Sequence, residues 1–186
     1  MKFDIIKEKQ QIQKLFICFV MYAVLGWIYE VVLETFIYRW GFTNRGVLFG
    51  PYCPVYGVGA LSFLLCLNWL MQKKDVKWLN FVKPIFVFIG CMTIATVIEL
   101  LASYILEFFT GAWPWQTYAE YKYNFEARIA LSTSIRFGLG GTAFLYLVQP
   151  FFDWMLAKPK QKTINIIACI LAIIMAADCV YTFFLK

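Results

Sequence analysis

Five apolar stretches of helical length, separated by short polar segments, constrain this chain more than any other feature. They run over about 15–38, 54–71, 84–108, 129–149 and 164–185, and a helix needs about 20 apolar residues to cross a hydrocarbon core ~30 Å thick. Every backbone N–H and C=O inside that core must be satisfied within the protein, which makes helices the natural form for such runs. Composition agrees: of 186 residues 62% are hydrophobic and only 15% charged, against roughly 25% charged in soluble domains. Mean hydropathy is +0.68. These features predict an all-α membrane protein, a single bundle of about five transmembrane helices. No linker-like stretch divides residues 1–186, so one polytopic domain is expected.

The ends and loops set the expected orientation. Residues 1–14, MKFDIIKEKQQIQK, alternate apolar and charged positions and suit an interfacial segment; no small-residue cleavage site follows, so a cleaved signal peptide is not expected. Lysines cluster at 2, 7, 9 and 14, at 73, 74, 77 and 83, and at 158, 160 and 162. By the positive-inside rule these alternate segments are cytoplasmic, which puts the N-terminus inside and the C-terminus outside. The net charge of +6 therefore orients spans, and no nucleic-acid partner is expected. Trp40, Trp69, Trp78, Trp113, Trp115 and Trp154 lie near proposed span ends, where aromatic anchors belong. Segment 109–128, with Trp113-Pro114-Trp115 and Tyr118, Tyr121 and Tyr123, is richer than anchoring requires. It is expected to be an extracytoplasmic loop folded back as a cap.

Charges inside the spans are the candidate site. At 1.5 Å per residue, Glu30, Glu99 and Asp178 lie ~22, ~22 and ~21 Å above the cytoplasmic ends of the first, third and fifth spans, and Arg136 ~19 Å up the fourth. A charge at the bilayer centre costs at least ~2.5–3.5 kcal/mol, so such groups pair with one another or line a wet cavity. Glu34 follows Glu30 by one turn on the same face, and two carboxylates so close need a cation, for which Arg136 is the natural candidate. Thr96, Glu99 and Ser103 share one face, and Ser132, Arg136 and Gly140 another, so these polar faces are expected to converge. An internal ion-pair network that only fixes packing would use the same residues.

Other chemistries find little support. The chain has no histidine, and Cys18, Cys53, Cys66, Cys91, Cys169 and Cys179 form no C-x-x-C. Neither a metal site nor a cofactor is expected, and the cysteines read as small packing residues. Ala168, Ala172 and Ala176 recur every four positions on the last span, a stripe suited to close helix approach or to docking another subunit.

Segment 44–60, NRGVLFGPYCPVYGVGA, carries two prolines and four glycines. Proline removes a donor and glycine permits turns, so an irregular backbone is expected to open the second span, broken or partly re-entrant. Irregular backbone in a membrane is tolerated against protein or water, which puts this segment beside the cavity. Together with Gly26-Trp27-Ile28-Tyr29-Glu30, Glu99 with Tyr104, and Trp115 through Tyr118 followed by Asn124, Arg128, Ser132 and Gly138, this motif resembles the Putative ABC-transporter type IV family of small bacterial membrane proteins. Ala127 stands where the family pattern reads Gly-Arg. The resemblance implies a transport-associated subunit of the bacterial cytoplasmic membrane, and it adds Arg45, Tyr52, Tyr56 and Arg128 to the binding set of Glu30, Glu34, Glu99, Arg136 and Asp178.

Three functions follow. The leading one is a transport subunit whose outward-facing polar cavity takes a small solute or ion. No Walker A sequence occurs in the chain, so any ATP-driven step needs a separate ATPase, for which segments 72–83 and 151–163 are the docking surfaces. A non-catalytic scaffold or sensor binding partner subunits is the second, and an intramembrane enzyme acting on a lipid-linked substrate is the third. Lacking histidine and a Ser-Lys or Cys-His pair, the chain offers no catalytic residues to name. Partners are the lipid bilayer and other membrane subunits, with a homo-oligomer left open.

Overall fold

The computed structural model describes residues 5–39, 41–44, 46–72 and 77–185. They form two compact units: Met1–Leu61 with Phe151–Lys186, and Ser62–Pro150. Helix α1 (Ile5–Val32) continues through a π-helical turn, Leu33–Tyr38. After an irregular segment come α2 (Pro54–Gln72) and α3 (Lys77–Thr110), then a 3-10 turn at Gln116–Glu120. A short hairpin, β1 (Asn124–Phe125) and β2 (Ile129–Ala130), precedes α4 (Leu131–Ala143). A second π turn, Phe144–Val148, leads into α5 (Gln149–Ala157), and α6 (Gln161–Val180) closes with a third, Tyr181–Leu185.

Among the described residues three helical stretches are long and apolar enough to cross a membrane: Gln11–Tyr38, Phe81–Thr110 and Gln161–Leu185. The all-α membrane fold class holds, with the two-stranded hairpin as a small addition. The expected second and fourth stretches fall short of the same standard for separate reasons. The second is the helix Pro54–Gln72, in which Pro54–Leu67 is a shorter apolar stretch among the described residues, whereas the fourth is helical but diluted by Arg136, three glycines and several hydroxyl residues. Two boundaries also move. Irregular backbone ends before Pro54, so Gly57 and Gly59 lie inside an unbroken helix, with proline at its first position, where a missing N–H costs nothing. Pro84 does not start the third helix but lies within it.

In the first unit α1 packs against α6. Ile17, Val20, Tyr22 and Ala23 are buried on α1, and Tyr22 stacks on Phe152 of α5 with ring centroids 5.4 Å apart. The start of α2 meets α1 through reciprocal ring-on-glycine contacts. A Cβ on Gly26 would lie 2.2 Å from the Tyr56 ring, and one on Gly57 would lie 2.6 Å from the Phe19 ring. Glycine at both positions is thus what lets Tyr56 lie flat on α1, four residues below Glu30.

In the second unit Phe63, Leu67, Leu70, Val87, Cys91, Ala95 and Leu145 form the core. The α4 face that meets α3 carries Ser134, Gly138 and Gly141: the Thr96 hydroxyl donates to Ser134 at 2.7 Å, and the two glycines admit the Phe88 ring and the Cys91 side chain. Ser132, Arg136 and Gly140 lie on the exposed side of α4, so the expected convergence of their face with that of Thr96 does not occur. The small side chains at 134, 138 and 141 approach α3 more closely than the arginine face could, and that fixes the rotation. On α6, Ala168 is buried while Ala172 and Ala176 are exposed.

Candidate functional site

The first unit brings three of the expected acids to the irregular segment 39–53. Glu34 belongs to the π turn that ends α1, where the Arg39 N–H donates back to the Glu34 carbonyl; single π turns occur often at functional sites. Its side chain is buried and accepts from the Thr43 hydroxyl at 2.5 Å. One turn earlier, Glu30 accepts from the Tyr56 hydroxyl. Asn44 ties the segment to α1, accepting from the Trp27 indole at 2.7 Å and donating to the Phe49 carbonyl at 2.8 Å.

Asp178 on α6 grips the same segment further along. Its Oδ1 accepts from the Phe49 N–H at 3.0 Å and from the Thr182 hydroxyl at 3.0 Å. Oδ2 accepts from the Gly50 N–H at 2.8 Å and from the Tyr52 hydroxyl. A carboxylate offers about four acceptor sites, and all four are taken. Burial, together with this carboxylate, pushes the Tyr52 phenol well above its ordinary range, so it remains a donor. Phe49 and Tyr181 meet edge-on at 5.7 Å beside the clasp.

In the second unit the outer loop folds back along one face of α3. Glu99, Ser103 and Glu107 recur every four residues on that face. The Tyr118 hydroxyl donates to Glu99 at 2.8 Å, which carries the loop back eleven residues from the helix end at Thr110, or ~16 Å along its axis. Buried Arg128 donates to Glu107 at 2.6 Å and to Ser103 at 3.3 Å. Glu126 lies 3.5 Å from its Nε. The guanidinium lies 4.0 Å from the ring centres of both Tyr104 and Trp113, a double cation–π contact. Two indoles pin the backbone here, Trp113 donating to the Ala127 carbonyl at 3.0 Å and Trp115 to that of Arg128 at 2.8 Å. Ala127 itself holds φ +55°, a conformation that glycine adopts far more cheaply.

A family model described as Putative ABC-transporter type IV matches residues 17–183. The chain belongs to that family. With its apolar helices, membership makes it a multi-pass, transport-related protein of the bacterial membrane, and its family is one of membrane components rather than ATPases. No curated protein and no solved structure matches the chain. Several residues the resemblance singled out are those just described: Glu30 with Tyr56, Tyr52 with Asp178, Glu99 with Tyr118, and Arg128. Arg45 lies outside the described residues, as do Trp40, Lys73 and Lys74. Arg136 is exposed, bordering a cleft with Lys122 and Ser132. Sequence reasoning did not single out Thr43, Glu107, Trp113 as a stacking partner, or the Phe49 and Gly50 amides. Only Glu107 had a readable signal, its four-residue spacing from Ser103. No group of three or more His, Cys, Asp and Glu suited to a metal occurs among the described residues.

Proposed function

We propose that the chain is the membrane-embedded subunit of a transport system, with an outward-facing polar cavity that takes a small solute or ion at Glu30 and Glu34 of the first unit. Segment 44–60 gates it, and Tyr52, Tyr56 and Asp178 of the same unit support it. The observation that carries this reading is the Glu30/Glu34 pair, two carboxylates one turn apart at the end of α1 and in the π turn that follows, the first accepting from Tyr56 on α2 and the second from Thr43 in the irregular segment. Irregular backbone at membrane depth is tolerated beside a cavity. In this reading five helices cross the bilayer, the N-terminus is cytoplasmic and the C-terminus is outside. A separate ATPase docks on segments 72–83 and 151–163.

Within this account Asp178 is structural, because its acceptor sites are taken up by the protein. That same saturation favours the second reading, a non-catalytic scaffold, if Glu30 proves equally inert. Native mass spectrometry of the purified wild type against the Glu30→Gln/Glu34→Gln variant tests the choice. The transport reading expects a bound species of defined mass in the wild type and its loss in the variant. An empty wild type, with the variant merely less stable, would leave only the scaffold.

A further inference from the structure

The starts of α1 and α6 lie side by side in the first unit, where the Gln161 amide donates to the Gln13 side chain at 2.9 Å and to Asn165 at 2.8 Å. Two membrane-length apolar stretches, Gln11–Tyr38 and Gln161–Leu185, begin here, so this pair marks the headgroup level of one leaflet. Lysines gather at that level from three elements: Lys14 on α1, Lys158 just past α5, and Lys160 and Lys162 at the start of α6. Lys158, Lys160 and Lys162 are exposed, and none of the four forms a salt bridge among the described residues. An aromatic surface adjoins them. Phe151, Trp154 and Lys158 share one side of α5, the two ring centroids 5.9 Å apart and the Lys158 ammonium 3.2 Å from the Trp154 ring centre. Both rings are more than half exposed, whereas Phe152 and Leu156 bury the other side of the helix.

We propose that this corner of the first unit binds an anionic phospholipid, its headgroup held by Lys160 and Lys162 with Lys14 and Lys158 flanking, and its acyl chain against Phe151 and Trp154. Charge complementarity decides the occupant. Residues 11–29 and 151–177 contain a single acid, Asp153, against these four lysines, and each lysine near an anionic membrane surface is worth about 1 kcal/mol. Helix α6 starts without a side-chain cap, so its dipole adds partial positive charge at the same point. Exposed aromatic rings suit the boundary between headgroups and hydrocarbon. Free phosphate would satisfy the lysines and leave Phe151 and Trp154 without a role; a phospholipid uses both. Asp153 and Ala157 lie on the adjoining exposed side of α5, which remains for the ATPase. This inference stands apart from the transport reading and survives if that reading fails.

Native mass spectrometry of the full chain in detergent, titrated separately with phosphatidylglycerol, phosphatidylcholine and inorganic phosphate, tests it. The wild type should retain phosphatidylglycerol over phosphatidylcholine. Lys160→Gln and Lys162→Gln should each lower that preference about fivefold, and the double variant about 25-fold. Both side chains are exposed, so the singles carry the prediction if the double variant is poorly stable. Lys122→Gln, which removes an equal charge from an exposed site in the second unit, should leave the preference unchanged. Equal retention of the two lipids by the wild type, or an unchanged preference in both single variants, would overturn the proposal. A loss in Lys122→Gln as large as in Lys160→Gln would also overturn it, because net charge rather than this corner would then select the lipid. So would inorganic phosphate displacing phosphatidylglycerol at equal concentration, which would make the lysines a phosphate site instead.

Discussion

Two carboxylates in the same unit hold tyrosine hydroxyls from positions one helical turn apart in sequence, and they differ in what remains free. Asp178 takes Tyr52 and then fills its other acceptor sites with two backbone amides and Thr182. Glu30 takes Tyr56 alone among the described residues. Both are acids in apolar helices and invite the same functional suspicion. The difference between them shows that charge within an apolar span identifies a candidate, while the number of acceptor sites left over decides what it can bind. Asp178 is a clasp for residues 49–52, and Glu30 keeps acceptor sites unfilled among the described residues.

The comparison breaks most visibly at Asp178. Asp178→Asn leaves at least one donor facing an amide nitrogen and should cost about 3 kcal/mol, the scale of lost charge-assisted hydrogen bonds; thermal unfolding in detergent measures it. The Glu30→Gln variant should lose less than about 1 kcal/mol in the same assay, because only one hydrogen bond is altered. A similar loss in both would erase the distinction. Next in size is Gly26→Ala, which drives a methyl into the Tyr56 ring and should cost about 1–3 kcal/mol. Since it also pushes Tyr56 off Glu30, it should abolish any species bound by the wild type. The smallest effect is a gain. Ala127→Gly removes an unfavourable left-handed conformation and should stabilise by about 0.5–1 kcal/mol. It touches neither carboxylate, so it provides a background in which lost binding cannot be read as lost stability.

Much of the fold was legible because hydrophobic run length and helix rise are simple physics. The three longest apolar runs became the three membrane-length helices, and the position of irregular backbone was readable from the prolines and glycines before Pro54. The rotation of α4 was not. Ser132, Arg136 and Gly140 look like an inward polar face, yet Ser134, Gly138 and Gly141 sit one or two residues round and pack closer, and close approach decides helix contacts in a membrane. Polar residues alone could not reveal that choice. In the candidate site, Glu30, Tyr52, Tyr56, Glu99, Arg128 and Asp178 were all identifiable, but their pairings were not. Partners such as the Phe49 and Gly50 amides are backbone groups without sequence identity, and Thr43 reaches Glu34 only because a π turn ends α1 there. The aromatic loop was recognisable as a cap; its descent to Glu99 depends on one phenol, Tyr118.

The most direct test of this account is carbodiimide labelling of the purified chain, with the modified carboxyls mapped by peptide mass spectrometry. The reagent forms its adduct through a carboxyl oxygen that must be free to attack. The account predicts an adduct at Glu30 and none at Asp178, with Glu30 protected once the natural ligand is supplied. Asp178 labelling as fast as Glu30 would contradict it, because the clasp would then not be closed and the distinction between the two carboxylates would be lost.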